Sequence, residues 1–302
     1  MENRVALSAF QRKEAVKRAF YYACAGVSHV TGAERLRGLS SRPGTLRVLM
    51  YHKVNDQRGN SLSVPTSLFD EQMAYLQQHY RVVSVPEVLS HLAGGDLPQR
   101  AVLLTFDDGY LDIFTNALPI LKRYKHKAAI FVSTDFIERP ASFPHDSSFR
   151  GFDNRTLSWE HLRAMSDVFE VGSHACTHRR LTAIAPAKAH REILESKAVI
   201  ESQLGRPVVA FSYPKGGVLD FNPLLRERVI EAGYRLCFTT LPRTNAPPLP
   251  PYDLARYNVE PYGPFYFARL LEGSCDLMGL GATPIGAHLK RAIVSLMGAA
   301  TE

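Results

Sequence analysis

Two adjacent aspartates and two histidines four residues apart are the residues whose types and spacing best suit catalysis. These are Asp107 and Asp108, and His174 and His178. Two imidazoles and one carboxylate around a metal ion, with water in the open position, form a common catalytic zinc site, and Asp108 can complete it, leaving Asp107 free beside it. Neither pattern is decisive alone: paired aspartates also occur in polar turns that begin helices or in metal sites for glycosyl or phosphoryl transfer, and paired histidines also occur on surfaces.

Each of these polar groups comes directly after a predicted strand. In α/β folds the carboxyl ends of parallel strands share one face, where active sites lie. We therefore expect residues far apart in the sequence to meet in one pocket. The predicted strands and the groups that follow them are Leu46–Met50 with His52, Ala101–Phe106 with Asp107 and Asp108, Val168–Val171 with His174 to His178, and Val208–Phe211 with Ser212 to Gly217.

Strands and helices alternate from residue 46 to residue 240, which predicts a mostly parallel sheet covered by helices. The strands are continuously apolar, as expected when both faces of a sheet are buried. We favour an α/β fold of the closed or distorted (β/α) barrel type, with an open doubly wound sheet as the alternative. Residues 135–158 are irregular and are predicted to form an inserted loop.

The composition, 45% hydrophobic and 22% charged over 302 residues, argues against disordered and collagen-like chains. Lysine and arginine total 36 against 29 for aspartate and glutamate, a formal net charge of +7. The basic residues are scattered, so we expect a solvated surface and no nucleic-acid partner. The four cysteines form no Cys-x-x-Cys pair and fit a reducing compartment. Cys176 is predicted to be a small buried residue and not a metal ligand.

Two helical extensions are predicted around an α/β domain over residues 45–260. Residues 1–44 are basic, and Ala19 to Val27 is interrupted by two tyrosines, which favours an amphipathic helix over an export signal. Residues 261–302 end in a second amphipathic helix. We expect these helices to pack against the barrel, with peripheral membrane contact as the alternative. The expected location is the cytoplasm or the cytoplasmic membrane surface, with an exported form left open.

Three motifs carry a resemblance to a known family. Thr105–Tyr110, Ser173–His178 and Phe211–Gly216 resemble the three motifs of the polysaccharide deacetylases of carbohydrate esterase family 4, the NodB homology domain. The resemblance covers roughly residues 45–260, and its first two motifs are highly specific. It implies a distorted (β/α) barrel, in agreement with the alternation of strands and helices.

The resemblance also implies roles for individual residues. Asp107 would be the general base, and Asp108, His174 and His178 would hold Zn²⁺ or a similar divalent metal. A backbone N–H of the third motif, at Lys215, would stabilise the oxyanion. Aromatic side chains that could stack on sugar rings are Tyr110, Tyr213, Phe149 and Trp159.

Two departures from the family pattern matter. Ser212 stands where the family often has an arginine that orients the base, so the orientation of Asp107 must come from elsewhere. The late Leu-x-His motif that often supplies a general acid is also missing. Instead, Leu49–His52 resembles the start of the poly-β-1,6-N-acetylglucosamine deacetylase branch, in which an early histidine is the acid, so His52 takes that role. Arg256 lies in another family-like segment, and we assign it a structural role.

These observations predict a metal-dependent hydrolase that removes N-acetyl groups from a sugar of a polysaccharide or a lipid-linked glycan. One alternative is a carbohydrate-binding pseudoenzyme of the same fold. The other is a deacylase, deformylase or esterase that removes a different acyl group.

Overall fold

The computed structural model describes residues 42–57, 60, 62–139, 143–149, 153–274 and 276, and isolated positions 19, 22, 23, 26 and 30. The strands are β1 (Leu46–Tyr51), β2 (Lys53–Val54), β3 (Ser63–Val64), β4 (Arg81–Val83), β5 (Ala101–Asp108), β6 (Ala128–Val132), β7 (Phe169–Ser173), β8 (Ala210–Ser212), β9 (Leu236–Phe238) and β10 (Tyr257–Asn258). The α-helices are α1 (Thr66–His79), α2 (Val85–Leu92), α3 (Leu118–Tyr124), α4 (Trp159–Ala164), α5 (Pro186–Leu204), α6 (Pro223–Glu231) and α7 (Pro264–Leu271).

Within the described residues, eight strands form one parallel sheet in the order β10-β1-β5-β6-β7-β8-β9, with β4 also paired to β5. The register brings the carboxyl ends of neighbouring strands to one edge. Tyr51 is level with Phe106, and Asp108 and Ser173 are both level with Val132. The groups that follow these strands therefore meet at a common rim.

Residues 254–258, the closing segment, join the two ends of the sheet. Leu254 forms a parallel bridge with Phe238 of β9, and two residues of β10 pair with β1. The sheet is thus a curled half-barrel whose two edges are joined by the closing segment. The distorted (β/α) barrel predicted from the sequence is confirmed.

The central strand β5 shows how the core is built. Val102, Leu104 and Phe106 belong to the larger hydrophobic cluster, which includes residues of α1, α3 and α5. Ala101 and Leu103 belong to a second cluster that also includes residues of β1, β6, β8 and β9. Since successive side chains of a strand point to opposite faces, the strand is buried on both sides. This explains its continuous apolar sequence.

The two predicted terminal helices fall mostly outside the described residues. Among the positions that are described, the hydroxyl of Tyr22 accepts a hydrogen bond from the backbone N–H of Gly263, and its ring lies 6.0 Å from that of Tyr266. Helix α7 buries Tyr266, Phe267 and Leu270 in the larger cluster. No helix in the described ranges is both long and apolar enough to span a bilayer.

Candidate active site

The rim of the barrel contains a cleft of about 390 Å³. Asp107 and Asp108 end β5, and His174 follows β7. His52 follows β1 and Lys215 follows β8, so four strand ends contribute, as the sequence pattern predicts. The residues around the cleft are Met50, His52, Leu62, Asp107, Asp108, His145, His174, His178, Lys215, Thr240 and Asn258.

Asp107 is held by a buried arginine from the closing segment. Arg256 donates from Nη1 to Asp107 Oδ1 and from Nη2 to Asp107 Oδ2, both at 2.7 Å. Its Nη2 also donates to the hydroxyl of Ser212 at 2.7 Å, and its Nε donates to the carbonyl of Thr239. Burial raises the pKa of Asp107, but Arg256 and His174 outweigh burial and hold that pKa below its ordinary value. The carboxylate is therefore both oriented and ionised, as a general base must be.

Asp108 lies beside two of the predicted ligands. His178 Nε2 is 3.1 Å from Asp108 Oδ1, and His174 Nε2 is 3.8 Å from the same oxygen. His174 donates from Nδ1 to the carbonyl of Ser212 at 2.7 Å, which leaves the lone pair on Nε2 facing the carboxylates. Burial lowers the pKa of His174 to about 4 despite the opposing effect of Asp107, so the imidazole is neutral, as a metal ligand requires.

The loop between these histidines is fixed by Glu192 of α5. The Glu192 carboxylate accepts hydrogen bonds from the backbone N–H groups of Cys176 and Thr177 and from the Thr177 hydroxyl. The φ angles of Asp108 and His178 are +72° and +55°, a conformation that non-glycine residues adopt only when their surroundings impose it. Cys176 is buried, as predicted, and burial raises the pKa of its thiol to about 11.

A third histidine reaches the site from the inserted loop. His145 Nε2 lies 3.3 Å from Asp108 Oδ2 and 3.0 Å from the hydroxyl of Tyr110. That hydroxyl donates to Asp146, whose carboxylate is 3.7 Å from the buried ammonium of Lys53. Lys53 also lies 3.9 Å from the centre of the Tyr110 ring. These contacts fix the middle of the inserted loop against the catalytic rim.

The donor set fits a divalent metal ion. Asp108 Oδ1 is buried and makes no hydrogen bond among the described residues, although His178 Nε2 lies 3.1 Å away. Burial raises the pKa of Asp108, but His178 and His145 outweigh burial and hold that pKa well below its ordinary value. One carboxylate and neutral imidazoles are ligands that zinc prefers. Asp108, His145 and His178 bring their ligand atoms within 4.8 Å of one another, and His174 with Asp108 and His178 forms the set expected from the sequence.

The two groups predicted for proton donation and oxyanion binding also lie at the cleft. His52 is half-buried, and burial lowers the pKa of its imidazole against the opposing charges of Asp108 and Asp107. Lys215 has a φ of +66°, and its backbone N–H has no acceptor among the described residues. The polar groups needed for amide hydrolysis thus surround one space.

Comparison with known proteins agrees with this arrangement. The family model described as polysaccharide deacetylase matches residues 94–237. Residues 94–237 therefore form a polysaccharide deacetylase domain. The chain is 29% identical over 225 residues to YxkH of Bacillus subtilis, an alignment that covers 74% of each protein. It is 24% identical to the poly-β-1,6-N-acetyl-D-glucosamine N-deacetylase of Staphylococcus aureus over 63% of this chain and 67% of that protein. Streptococcus pyogenes deacetylase PplD superposes with a TM-score of 0.66 at 25% identity, over 76% of this chain and 99% of that one.

The family and the enzyme class predicted from the sequence are therefore confirmed, and the chain is a glycan deacetylase. The matched residues 94–237 include the two aspartates and the two histidines. His52 and Arg256 lie outside the matched residues. In this polysaccharide deacetylase, His52 follows β1 and Arg256 belongs to the closing segment. The individual catalytic and metal-binding roles stay predictions.

Two predicted substrate contacts need correction. The side chain of Tyr213 is fully buried, with its ring stacked 5.3 Å from that of Phe221, so it cannot reach a sugar in the cleft. Tyr110 is 1% exposed and uses its hydroxyl for His145 and Asp146, so it supports the site from beneath. In both cases a motif residue follows a strand end, but its side chain is buried and does not line the cleft. The side chain of Phe149 lies outside the described residues, and Trp159 is buried in the larger cluster.

Sequence reasoning missed the site roles of two residues of this deacetylase. The third motif has Ser212 where the family often has an arginine. Arg256 supplies a guanidinium from the closing segment instead, and the Ser212 hydroxyl accepts a hydrogen bond from it. The available signal was the absence of the family arginine together with an arginine in the last family-like segment. His145 had no signal, because it lies in an irregular loop without a motif.

Proposed function

We propose that this deacetylase hydrolyses the acetamido group of an N-acetylhexosamine in a polysaccharide, with a divalent ion held by Asp108, His174 and His178. The observation that carries the proposal is the two-point hydrogen bond between Asp107 and buried Arg256, beside a carboxylate and imidazoles that fit a metal ion. An ionised, oriented carboxylate next to a Lewis-acid site is the arrangement that amide hydrolysis by water needs.

The residues divide the reaction between them. When bound, the divalent ion supplies Lewis acidity to the acetamido carbonyl and to the attacking water. Asp107 accepts the proton of that water as its oxygen bonds to the carbonyl carbon. The backbone N–H of Lys215 donates to the oxygen that becomes negative. His52 donates a proton to the nitrogen as the carbon–nitrogen bond breaks, so the products are acetate and the free amino sugar.

The choice of an N-acetylhexosamine polymer is supported by the relatives. The Staphylococcus aureus relative is named for poly-β-1,6-N-acetyl-D-glucosamine, and the chain spans about two thirds of its length. The early position of His52 agrees with that branch. We propose a β-linked N-acetylglucosamine polymer as the first substrate to test.

The test is acetate release from N-acetylglucosamine oligomers by the full chain, before and after chelation and with Zn²⁺ added back. Mass spectrometry of the oligomer should show the loss of one acetyl group for each acetate. Metal content measured on His174→Ala and on His145→Ala, each compared with the exposed Asp153→Asn control, assigns the third ligand. Acetate release that persists after complete removal of metal would contradict the proposal, and so would turnover of N-formyl oligomers without turnover of the N-acetyl oligomers.

A further inference from the structure

A second cavity of about 480 Å³ adjoins the catalytic cleft. The two spaces share His145, His178 and Lys215, so a ligand can extend from one into the other. A volume of this size lies within the range of sites that bind small molecules, roughly 300–1,000 Å³, and accommodates one sugar ring. The residues around it are Asp135, Phe136, Arg139, Pro144, His145, Thr177, His178, Arg179 and Lys215.

The charge of this second cavity is mainly positive. Arg139, Arg179 and Lys215 are exposed, against one carboxylate, that of Asp135. None of the three cationic side chains has a hydrogen bond or an ion pair among the described residues. Thr177, His145 and His178 contact other protein groups, so the three cations, with Asp135, are the charged groups of the second cavity left to meet a ligand. Guanidinium groups match the geometry of carboxylate and phosphate oxygens.

An apolar surface lies beside these cations. Phe136 is half-buried and its ring stacks on that of Phe143 at 4.0 Å with an interplanar angle of 19°. Pro144 continues the same wall of the cavity. Since sugar rings pack their apolar faces on such surfaces, the cavity combines a platform for a ring with cations for a substituent.

We infer that this second cavity binds a sugar that carries a carboxylate or phosphate group, adjacent to the N-acetyl sugar that is deacetylated. The inference rests on the proposed function and narrows its substrate to an acidic glycan. It also predicts an order of preference for the neighbouring sugar. An anionic sugar is preferred over a neutral one, and a deacetylated sugar is the poorest, because its ammonium group faces three cations.

The experiment compares four tetrasaccharides with the same β-linked N-acetylglucosamine backbone. One is neutral, one carries 6-carboxylates beside the target sugar, one carries 6-phosphates there, and one has a free amine there. We expect kcat/KM for the anionic forms to exceed that for the neutral form by about tenfold, because each exposed ion pair contributes up to about fivefold. The amine should fall below the neutral form, and about 0.5 M salt should remove the differences.

The variant for this test is Arg139→Gln combined with Arg179→Gln. Its ratio of anionic to neutral kcat/KM should fall toward one, whereas Arg81→Gln, at an arginine 68% exposed at the amino end of the sheet, should keep the wild-type ratio. Because a phosphate monoester carries the larger charge, a gain with carboxylate that equals or exceeds the gain with phosphate identifies the source of the anion as a uronic acid, and a gain with phosphate alone identifies a phosphorylated sugar.

Two outcomes separate this inference from the proposed function. Equal turnover of neutral and anionic forms by the wild type would overturn the inference and leave deacetylation intact. If no tetrasaccharide is turned over, the proposed function fails for this backbone, and calorimetric binding of the same four compounds still decides the inference. Binding without preference for the anionic forms, or a preference that the double variant retains, would overturn it.

Discussion

Replacing Arg256 by methionine removes the group that orients Asp107, and it should reduce both stability and activity. Arg256 is fully buried and Asp107 is 2% exposed. Removing one partner of a buried ion pair leaves the other charge uncompensated, which costs about 3–5 kcal/mol of unfolding free energy. The variant also loses the hydrogen bonds that Arg256 donates to Ser212 and Thr239, so we expect a cost at the upper end of that range.

The contribution of the pair itself can be separated with a double-mutant cycle. In an Asp107→Asn background the carboxylate charge is already gone, so Arg256→Met should cost about 2 kcal/mol less than in the wild type. Urea unfolding monitored by circular dichroism measures each free energy. Arg81→Met is the matched control, because this arginine is 68% exposed and its loss should change the unfolding free energy by less than about 0.5 kcal/mol.

The same variant should lower activity through misplacement of the base. We expect kcat for acetate release to fall by about 10²-fold or more, with metal content unchanged. Arg256→Lys, which keeps the charge but loses the two-point contact, should fall between the wild type and Arg256→Met. A cost below about 1 kcal/mol for Arg256→Met, or an equal cost in the Asp107→Asn background, would show that the Arg256–Asp107 pair does not stabilise the fold.

Three further predictions concern residues outside the metal site. Burial raises the pKa of Asp112 to about 6 in the folded protein, above the value of about 4 in the unfolded chain. The ionised carboxylate therefore lowers the free energy of unfolding at neutral pH, and this loss disappears as the pH falls toward about 4. Asp112→Asn loses one of the hydrogen bonds that the carboxylate accepts from Val54 and Asn55 at every pH, but its effect on the free energy of unfolding should be about 2 kcal/mol more favourable at pH 8 than at pH 4. An effect that does not depend on pH in urea titrations would contradict this. Gly172→Ala should lower the free energy of unfolding by about 1–3 kcal/mol in the same titrations, because the added Cβ would lie 2.6 Å from the Phe131 ring and 2.8 Å from the carbonyl oxygen of Ala210. A loss below about 0.5 kcal/mol would show that the strands separate easily. Tyr213→Phe should keep kcat/KM within about twofold, because the side chain is buried away from the cleft, and a tenfold loss would show that the hydroxyl reaches substrate.

The general position of the site could be predicted because it follows from strand polarity. Parallel strands bring their carboxyl ends to one edge, so polar groups after β1, β5, β7 and β8 had to meet there. The fully apolar sequence of β5 indicated burial on both faces, and the structure places both faces in hydrophobic clusters. Strand ends shifted by one or two residues, as at β7, which runs from Phe169 to Ser173 and not from Val168 to Val171.

The contacts of individual side chains could not be predicted in the same way. Arg256 and Asp107 are 149 residues apart, and their pairing depends on a closing segment with no strand pattern before residue 257. His145 reaches Asp108 from a loop whose path is set by the buried Lys53–Asp146 pair. The ring of Tyr213 packs against those of Phe211 and Phe221, a direction that a motif match does not reveal.

In the proposed reaction Asp107 acts as the base beside a metal ion held by its neighbours. The most direct test is the initial rate of acetate release from N-acetylglucosamine oligomers by the wild type and by Asp107→Asn, each with the same measured metal content. We predict a fall of at least about 10²-fold for Asp107→Asn with one metal ion still bound per chain. A rate close to that of the wild type would contradict the assignment of Asp107 and the mechanism built on it.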